Sequence, residues 1–259
     1  MYKKCYATRL GSNKYKIHLW DEGGYDEIEW YNCAYQECSK EDKLYTGLGG
    51  EPLRKIYKWD KNTPNLHFHD IPPYQKFLIE KYGIDDKPSI GHRELFFDIE
   101  CEIGGALTEE YIERAPMPIT TIAYWDKTPD SWVILVRDDK NELKRTKAKN
   151  KEIVPCRTEK ELLAKFLERF KEIDPDILIG YNSDFFDIPY LYYRMCNVLG
   201  KEWADQLSPI GKVNAKKNNE YFFKRNQFVD IIGVESLDYI RLHKKYSWKD
   251  EPSWKLDAI

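Results

Sequence analysis

The chain has 259 residues, with 41 Lys plus Arg against 44 Asp plus Glu, and its formal net charge of −3 excludes a globally basic nucleic-acid coat. Charged residues reach 33%, yet 8 Trp, 19 Tyr and 11 Phe supply the apolar area that a disordered polyelectrolyte lacks. At a typical ~150 residues per domain, the length allows one good core and a smaller companion.

No apolar run approaches the ~18 residues of a membrane span. Residues 1 to 20 carry Lys3, Lys4, Arg9, Lys14 and Lys16 without an apolar signal core, so a cytoplasmic protein with no membrane partner is expected. Cys5, Cys33, Cys38, Cys101, Cys156 and Cys196 are scattered without a CxxC pair, which reads as six reduced thiols. His67 and His69, in HFHD, lack a second ligand pair at zinc-finger spacing and read as two residues on one face of a short strand.

Residues 1 to about 50 carry strand-like KYKIHLW and IEWYN around the turn DEGG, which reads as a small β-rich lobe. A stretch punctuated by Pro52, Pro64, Pro72, Pro73 and Pro88 follows. Its one short helix, YQKFLIEKY, is closed by Gly83. We place the boundary of this first domain at 93 and a second domain at 94–259. In the second, ELFFDIE, PITTIAYWD and SWVILVRD read as three strands, the last two antiparallel neighbours. TEKELLAKFLERFKEI keeps helical spacing at Leu162, Leu163, Phe166, Leu167, Phe170 and Ile173, and Thr158 with Glu161 forms a capping-box pattern. DILIGYN reads as a buried strand stopped by Gly180, and IPYLYYRMCNVLG as a second helix. The sum is an α/β fold, a mixed sheet flanked by helices and preceded by the β-rich domain.

Beyond Gly200 come the basic stretch KVNAKKNNEYFFKR, compatible with a hairpin turning at Asn218 and Asn219, and a helix over SLDYIRLHKKY. SWKLDAI opens like a helix at Ser253 but runs only two turns, marginal by itself, so the fold is expected to be interrupted at Ile259. An earlier basic run, VRDDKNELKRTKAKNK, reads as a solvated loop rather than a phosphate-binding one.

Two acidic clusters carry chemistry. In LFFDIECE, Asp98, Glu100 and Glu102 follow a buried strand at spacing two and so point to one face. Adjacent carboxylates there are costly unless a cation compensates, and an all-oxygen donor set suits Mg²⁺ or Mn²⁺ rather than zinc. An edge strand with an acidic solvent face is the plain alternative. In GYNSDFFDIPYL a strand turns into a helix whose first turn holds Asp187 and Pro189, and the plain alternative is that Asp187 only caps that helix. Taken together, two acids on one strand and a third from a neighbouring strand–helix junction can converge on one metal cluster.

Phe97-Asp98-Ile99-Glu100 resembles the first exonuclease motif, DxE, and Tyr181 to Asp187 the second, YNxxxFD, of family B DNA polymerases. LSPIG at 207–211 and LHKKYSWKDEPSWKLD resemble stretches of the T-even-like phage replicative members. The resemblance implies a ribonuclease-H-like fold and two-metal 3′-to-5′ hydrolysis of a DNA primer end. Under it Asp98 bridges both ions, Glu100 binds the ion that activates water, and Asp187 holds the second, directly or through its water shell. Asn182 and Phe186 are implied contacts to the terminal nucleotides, and Leu107 a wedge against the frayed end. The resemblance also implies that Lys216 and Lys217 fall in a hairpin that helps transfer the primer end between sites. Glu102 and Asp184 have no counterpart in the motifs and read as solvated acids.

The resemblance places the family's third exonuclease motif, YxxxD, somewhat beyond SWKLD, past Ile259, and none of the family's polymerase motifs is found in this sequence. The implied partners are therefore primer-template or single-stranded DNA and a C-terminal polymerase segment or subunit. The competing reading is a non-catalytic DNA-binding or assembly module of a split polymerase. A metal-independent glycosidase with paired carboxylates is disfavoured, because Asp98 and Glu100 share one strand and cannot flank a sugar from opposite faces.

Overall fold

The computed structural model describes residues 1–60, 62–83, 85, 87–102, 104–215, 229–247 and 253–254. Its backbone divides into two units, Met1–Ile90 and Gly91–Ile259.

In the first unit β1 (Tyr2–Arg9), β2 (Lys14–Asp21) and β3 (Gly24–Tyr31) form an antiparallel sheet in that order. The expected DEGG turn is a two-residue hairpin: Asp21 pairs with Gly24, whose φ of 110° disfavours any residue with a Cβ. A second sheet joins β4 (Ala34–Glu37), β5 (Tyr45–Thr46), β6 (Pro52–Ile56) and β7 (Leu66–His67) in the order β5-β6-β4-β7. Helix α1 (Pro73–Tyr82) stops at Gly83 as expected and buries Phe77 against Ile17 and Leu19 of β2. The two histidines do not share a strand face. Phe68 adopts φ 57° and turns the chain after His67, whose Nε2 lies 3.0 Å from Glu37 Oε1.

The second unit runs β8 (Glu94–Cys101), α2 (Glu109–Arg114), β9 (Ile119–Asp126), β10 (Ser131–Arg137), β11 (Thr146–Ala148), β12 (Lys151–Cys156), α3 (Glu159–Ile173), β13 (Ile177–Gly180), α4 (Asp187–Val198), α5 (Lys201–Ala204), β14 (Val213–Ala215), β15 (Val229–Ile231), β16 (Glu235–Asp238) and α6 (Tyr239–Tyr246). Seven strands make one mixed sheet in the order β11-β12-β10-β9-β8-β13-β16. β8, β9 and β10 are successively antiparallel, whereas β8, β13 and β16 run parallel. Helices α3 and α4 bury their apolar stripes in the same core as Leu95, Phe97 and Ile99 of β8. Arg93, just before β8, ties the start of the parallel strands: its N–H donates to Asp176 Oδ2 at 2.8 Å and its guanidinium clasps Asp126 at 3.1 and 2.6 Å. Phe166, 1% exposed, meets Tyr124 and Phe170 at ring distances of 6.1 and 5.6 Å. Phe166→Ala therefore leaves a cavity at the centre of this core, and denaturant unfolding should read a loss of about 3–5 kcal/mol.

Several local expectations need correction. Thr158 does cap α3 through the Glu161 N–H, but Glu161 reaches back to the amide of Arg157 rather than that of Thr158. The basic run at 136–151 is not simply a loop. Thr146–Ala148 pairs antiparallel with β12, which lies parallel to β10, and Arg145 is paired with Glu152. Charged, exposed β11 closes the sheet edge, a composition that discourages pairing with other chains. The six-residue α2, capped by Thr108, had no apolar period to reveal it. In SLDYIRLHKKY the helix begins only at Tyr239, because Ser236 and Leu237 are taken into the sheet opposite Leu178 and Ile179.

β14 pairs antiparallel with β15. Asn218, Asn219, Lys216 and Lys217 lie outside the described residues, as does the closing helix apart from Ser253 and Trp254. All six cysteines are free. Among the described residues no helix is long and apolar enough to cross a membrane.

Candidate active site

The site forms where one parallel strand outlasts its neighbour. The last matched pair of β13 and β8 is Ile179 with Phe96, and β13 ends at Gly180 while β8 continues to Cys101 beside β9. Alternation buries Leu95, Phe97 and Ile99 and leaves Asp98 and Glu100 exposed together on the opposite face. The expectation of three aligned acids stops at two. A register shift between Glu100 and Cys101 breaks the alternation, and exposed Glu102 instead accepts from Arg137 Nη1 at 3.2 Å.

With β13 ended, the amide of Ile99 needs another acceptor, and an unpaired buried N–H is costly. Asp187 supplies it. Its Oδ1 accepts from Ile99 N at 3.1 Å, across 88 positions of sequence, and the residue is only 4% exposed. Asp187 is therefore more than a helix cap: its carboxylate sits against the backbone between Asp98 and Glu100. Burial pushes the Asp187 carboxyl up to about 7, with the Ile99 N–H pulling the other way and the Asp98 charge adding to the rise. Asp98, although solvent reaches it, is raised as well, first by partial desolvation against the sheet and then by repulsion from Glu100.

The connecting loop is tightly built. A Cβ added at Gly180 would fall 2.6 Å from Ser183 Cβ and 3.3 Å from the Phe97 carbonyl, so glycine is what lets the loop fold back beside β8. Gly180→Ala should displace the loop and with it Asp187, lowering any hydrolytic rate by about tenfold or more while leaving the overall helix content unchanged. Single-turnover kinetics alongside circular dichroism checks both halves.

Asn182 takes φ 59°, and its carbonyl accepts from the amides of Phe185 and Phe186 at 3.2 and 3.0 Å. Asp238, at the end of β16, receives the amides of Asn182 (2.9 Å), Asp184 (3.2 Å) and Ile240 (3.0 Å). Burial raises the Asp238 carboxyl while those three N–H groups pull it down. Asp184 is not solvated as expected: it is 2% exposed and pairs with Arg241 at 2.6 Å. Its partner arrives from a segment more than fifty positions away, which spacing could not reveal. Asp238 was missed too, although an Asp directly before a helical run is a recognisable cap signal.

Of the other expected contacts, Asn182 is exposed, and Phe186 is half-buried with its ring 5.4 Å from Tyr190. Leu107, 53% exposed, precedes the cap of α2. A groove of about 590 Å³ runs from Asp98 along the open face of the sheet, lined by Phe96, Trp125, Trp132 and Ile179, with the two Trp rings stacked 5.0 Å apart.

The donor set of Asp98, Glu100 and Asp187 is all oxygen, and two of its members are held above their ordinary range by burial and mutual repulsion. A hard divalent cation relieves both penalties, so the residues fit magnesium or manganese. Among the described residues no three His, Cys, Asp or Glu side chains are gathered as a finished metal site. What the fold brings together is Asp98 and Glu100 on one face of β8, with the Asp187 carboxylate on the Ile99 amide between them; the charge of Glu100 raises Asp98 and that of Asp98 raises Asp187.

The DNA-directed DNA polymerase of Escherichia phage RB69 is 40% identical over an alignment 296 positions long, which covers 99% of this chain and 32% of that protein. The DNA-directed DNA polymerase of Enterobacteria phage T4 is 33% identical over 107 residues, 41% of this chain and 12% of that one. The DNA polymerase of Thermococcus gorgonarius is 34% identical over 158 residues, 59% and 18% of the two chains. This chain thus spans about a third of the RB69 relative and less of the others. The family model described as DNA polymerase family B, exonuclease domain, matches residues 57–259, a span that contains the strand end, the loop and the helix start meeting at Ile99, and the chain belongs to that family.

Proposed function

We propose that this chain is the exonuclease portion of a replicative family B DNA polymerase and removes nucleotides from the 3′ end of a DNA primer. The observation that carries this reading is the Asp187 carboxylate hydrogen-bonded to Ile99 N, between Asp98 and Glu100. Divalent ions bound there supply Lewis-acid stabilisation of the charge that builds on the attacking and leaving oxygens. Asp98, which neighbours both other acids, would hold two ions; Glu100 would hold the one on the water side and Asp187 the other. No side-chain nucleophile is needed: water attacks the terminal phosphorus in line, and the bond to the 3′ oxygen of the preceding nucleotide breaks. That oxygen takes a proton to become the new 3′ hydroxyl, and a 5′-mononucleotide leaves as the attacking water gives up its proton. Exposed Asn182 and half-buried Phe186, in the loop that presents Asp187, contact the terminal nucleotides, and Leu107 wedges against the frayed end. Lys216 and Lys217 assist transfer of the primer end from a polymerase segment in the same or a second polypeptide.

Single-turnover digestion of a 3′-labelled single strand tests the reading. Labelled mononucleotide should appear with Mg²⁺ and disappear with EDTA. If no release is seen with the chain alone or with a polymerase segment added, the chain acts as a DNA-binding or assembly module instead.

A further inference from the structure

We infer that Asp238 is a positioning residue of the exonuclease site, holding from the neighbouring strand the loop that presents Asp187. The inference rests on the exonuclease reading and extends it to a residue outside both acidic motifs.

The geometry follows from the parallel pairing of β13 and β16. Gly180 and Asp238 are matched in register, so the two strands end side by side. From that point the chain leaving β13 has lost its ladder, and the amides of Asn182 and Asp184 face the end of β16. Asp238 takes both, Asn182 N on Oδ1 at 2.9 Å and Asp184 N on Oδ2 at 3.2 Å. It also caps α6 by accepting Ile240 N on Oδ1 at 3.0 Å, and it is 3% exposed. One carboxylate thus fixes the left-handed Asn182 and the turn after it. The next fasteners follow directly: Phe186 N donates to the Asn182 carbonyl, and Ile188 N to that of Ser183, both at 3.0 Å. Asp187 lies between these two anchored residues. If the amides of Asn182 and Asp184 are released, the start of α4 is free to shift, and the Asp187 carboxylate with it.

A cap alone is the competing explanation, and Asp238→Ser separates the two. Serine is among the preferred N-cap residues, so α6 keeps its start, but its single short hydroxyl cannot span to both loop amides. The isosteric Asp238→Asn keeps an acceptor for Asn182 and Ile240 and turns an N–H₂ toward Asp184 N, so it should rescue in part. The full-length chain is titrated with Mn²⁺ alone, free ion being read by electron paramagnetic resonance, and thermal melts check the fold. Melting of Asp238→Ser should stay within a few degrees of the unaltered chain. Its Mn²⁺ affinity should fall about tenfold or more, the range seen when groups supporting metal ligands are removed, with Asp238→Asn between the two. Unchanged Mn²⁺ affinity in Asp238→Ser overturns the inference. Should that variant fail to fold, Asp238→Asn decides: several-fold weaker Mn²⁺ binding supports positioning, and equal binding overturns it. If the unaltered chain binds no Mn²⁺, the exonuclease reading fails and this inference fails with it.

Discussion

Asp98→Ala will lower the single-turnover rate of 3′-end hydrolysis by at least about 10²–10³-fold, the scale of losing one preorganised group that stabilises transition-state charge. Asp98 stands on the strand face beside Glu100, and its charge is felt by Asp187, so its removal takes away the acid that neighbours both of the others. The fold should survive. Asp98 projects from the open face of β8, its neighbours Phe97 and Ile99 carry the core contacts, and no described hydrogen bond depends on its side chain. Deleting it also relieves repulsion with Glu100 and Asp187. An Asp98→Ala chain that unfolds, or one that digests DNA at the original rate, would make this acid structural rather than catalytic.

Asp187→Asn will abolish hydrolysis and yet stabilise the metal-free chain above neutral pH. The folded-state carboxyl stands at about 7, well above its ordinary 3.8. A carboxyl raised in this way favours the folded state while protonated. That contribution is complete below about pH 4 and is lost as pH rises through 7, because ionisation then occurs in a dry site beside Asp98. Asparagine is uncharged at every pH and retains an oxygen to accept Ile99 N–H. At pH 8 without metal the variant should be more stable by something on the order of a few kcal/mol, a rise of several degrees in melting temperature. At pH 4 the two proteins should melt together. Added Mg²⁺ should raise the melting temperature of the unaltered chain at pH 8 more than that of the variant, since only the former offers the ionised ligand. Melts at the two pH values, with and without Mg²⁺, read all of this. A variant destabilised at pH 8 would mean that Asp187 is not held against its ionisation.

The shared face of Asp98 and Glu100, and the position of Asp187 in the first turn of a helix, follow from local pattern, whereas the seat of Asp187 on the Ile99 amide is a contact across 88 positions. The period of two in LFFDIE puts Asp98 and Glu100 on one face whatever the rest of the chain does, and Gly180 followed by Pro189 marks a strand turning into a helix. What escaped was set by distant contacts. Asp184 looked like a surface acid because Arg241, its partner, lies far along the chain. Ser236 and Leu237 suit a helix but are drawn into β16 by pairing with β13. Thr146–Ala148 is hidden within a basic run, and Lys151–Cys156, which starts at the end of that run, turns only its alternate residues Glu152, Val154 and Cys156 inward. Glu102 left the acidic face through a register shift that no composition announces. Asp238 combined the two cases, since its cap role was readable in principle and its hold on the Asn182 loop was not.

The central claim is that Asp98, Glu100 and Asp187 share divalent metal. Crystals of the full chain soaked in manganese and measured at the manganese absorption edge test it without any assay of activity. The account predicts an anomalous peak at coordinating distance from Asp98 and from at least one of Glu100 and Asp187. Manganese bound elsewhere, with all three carboxylates bare, would contradict it.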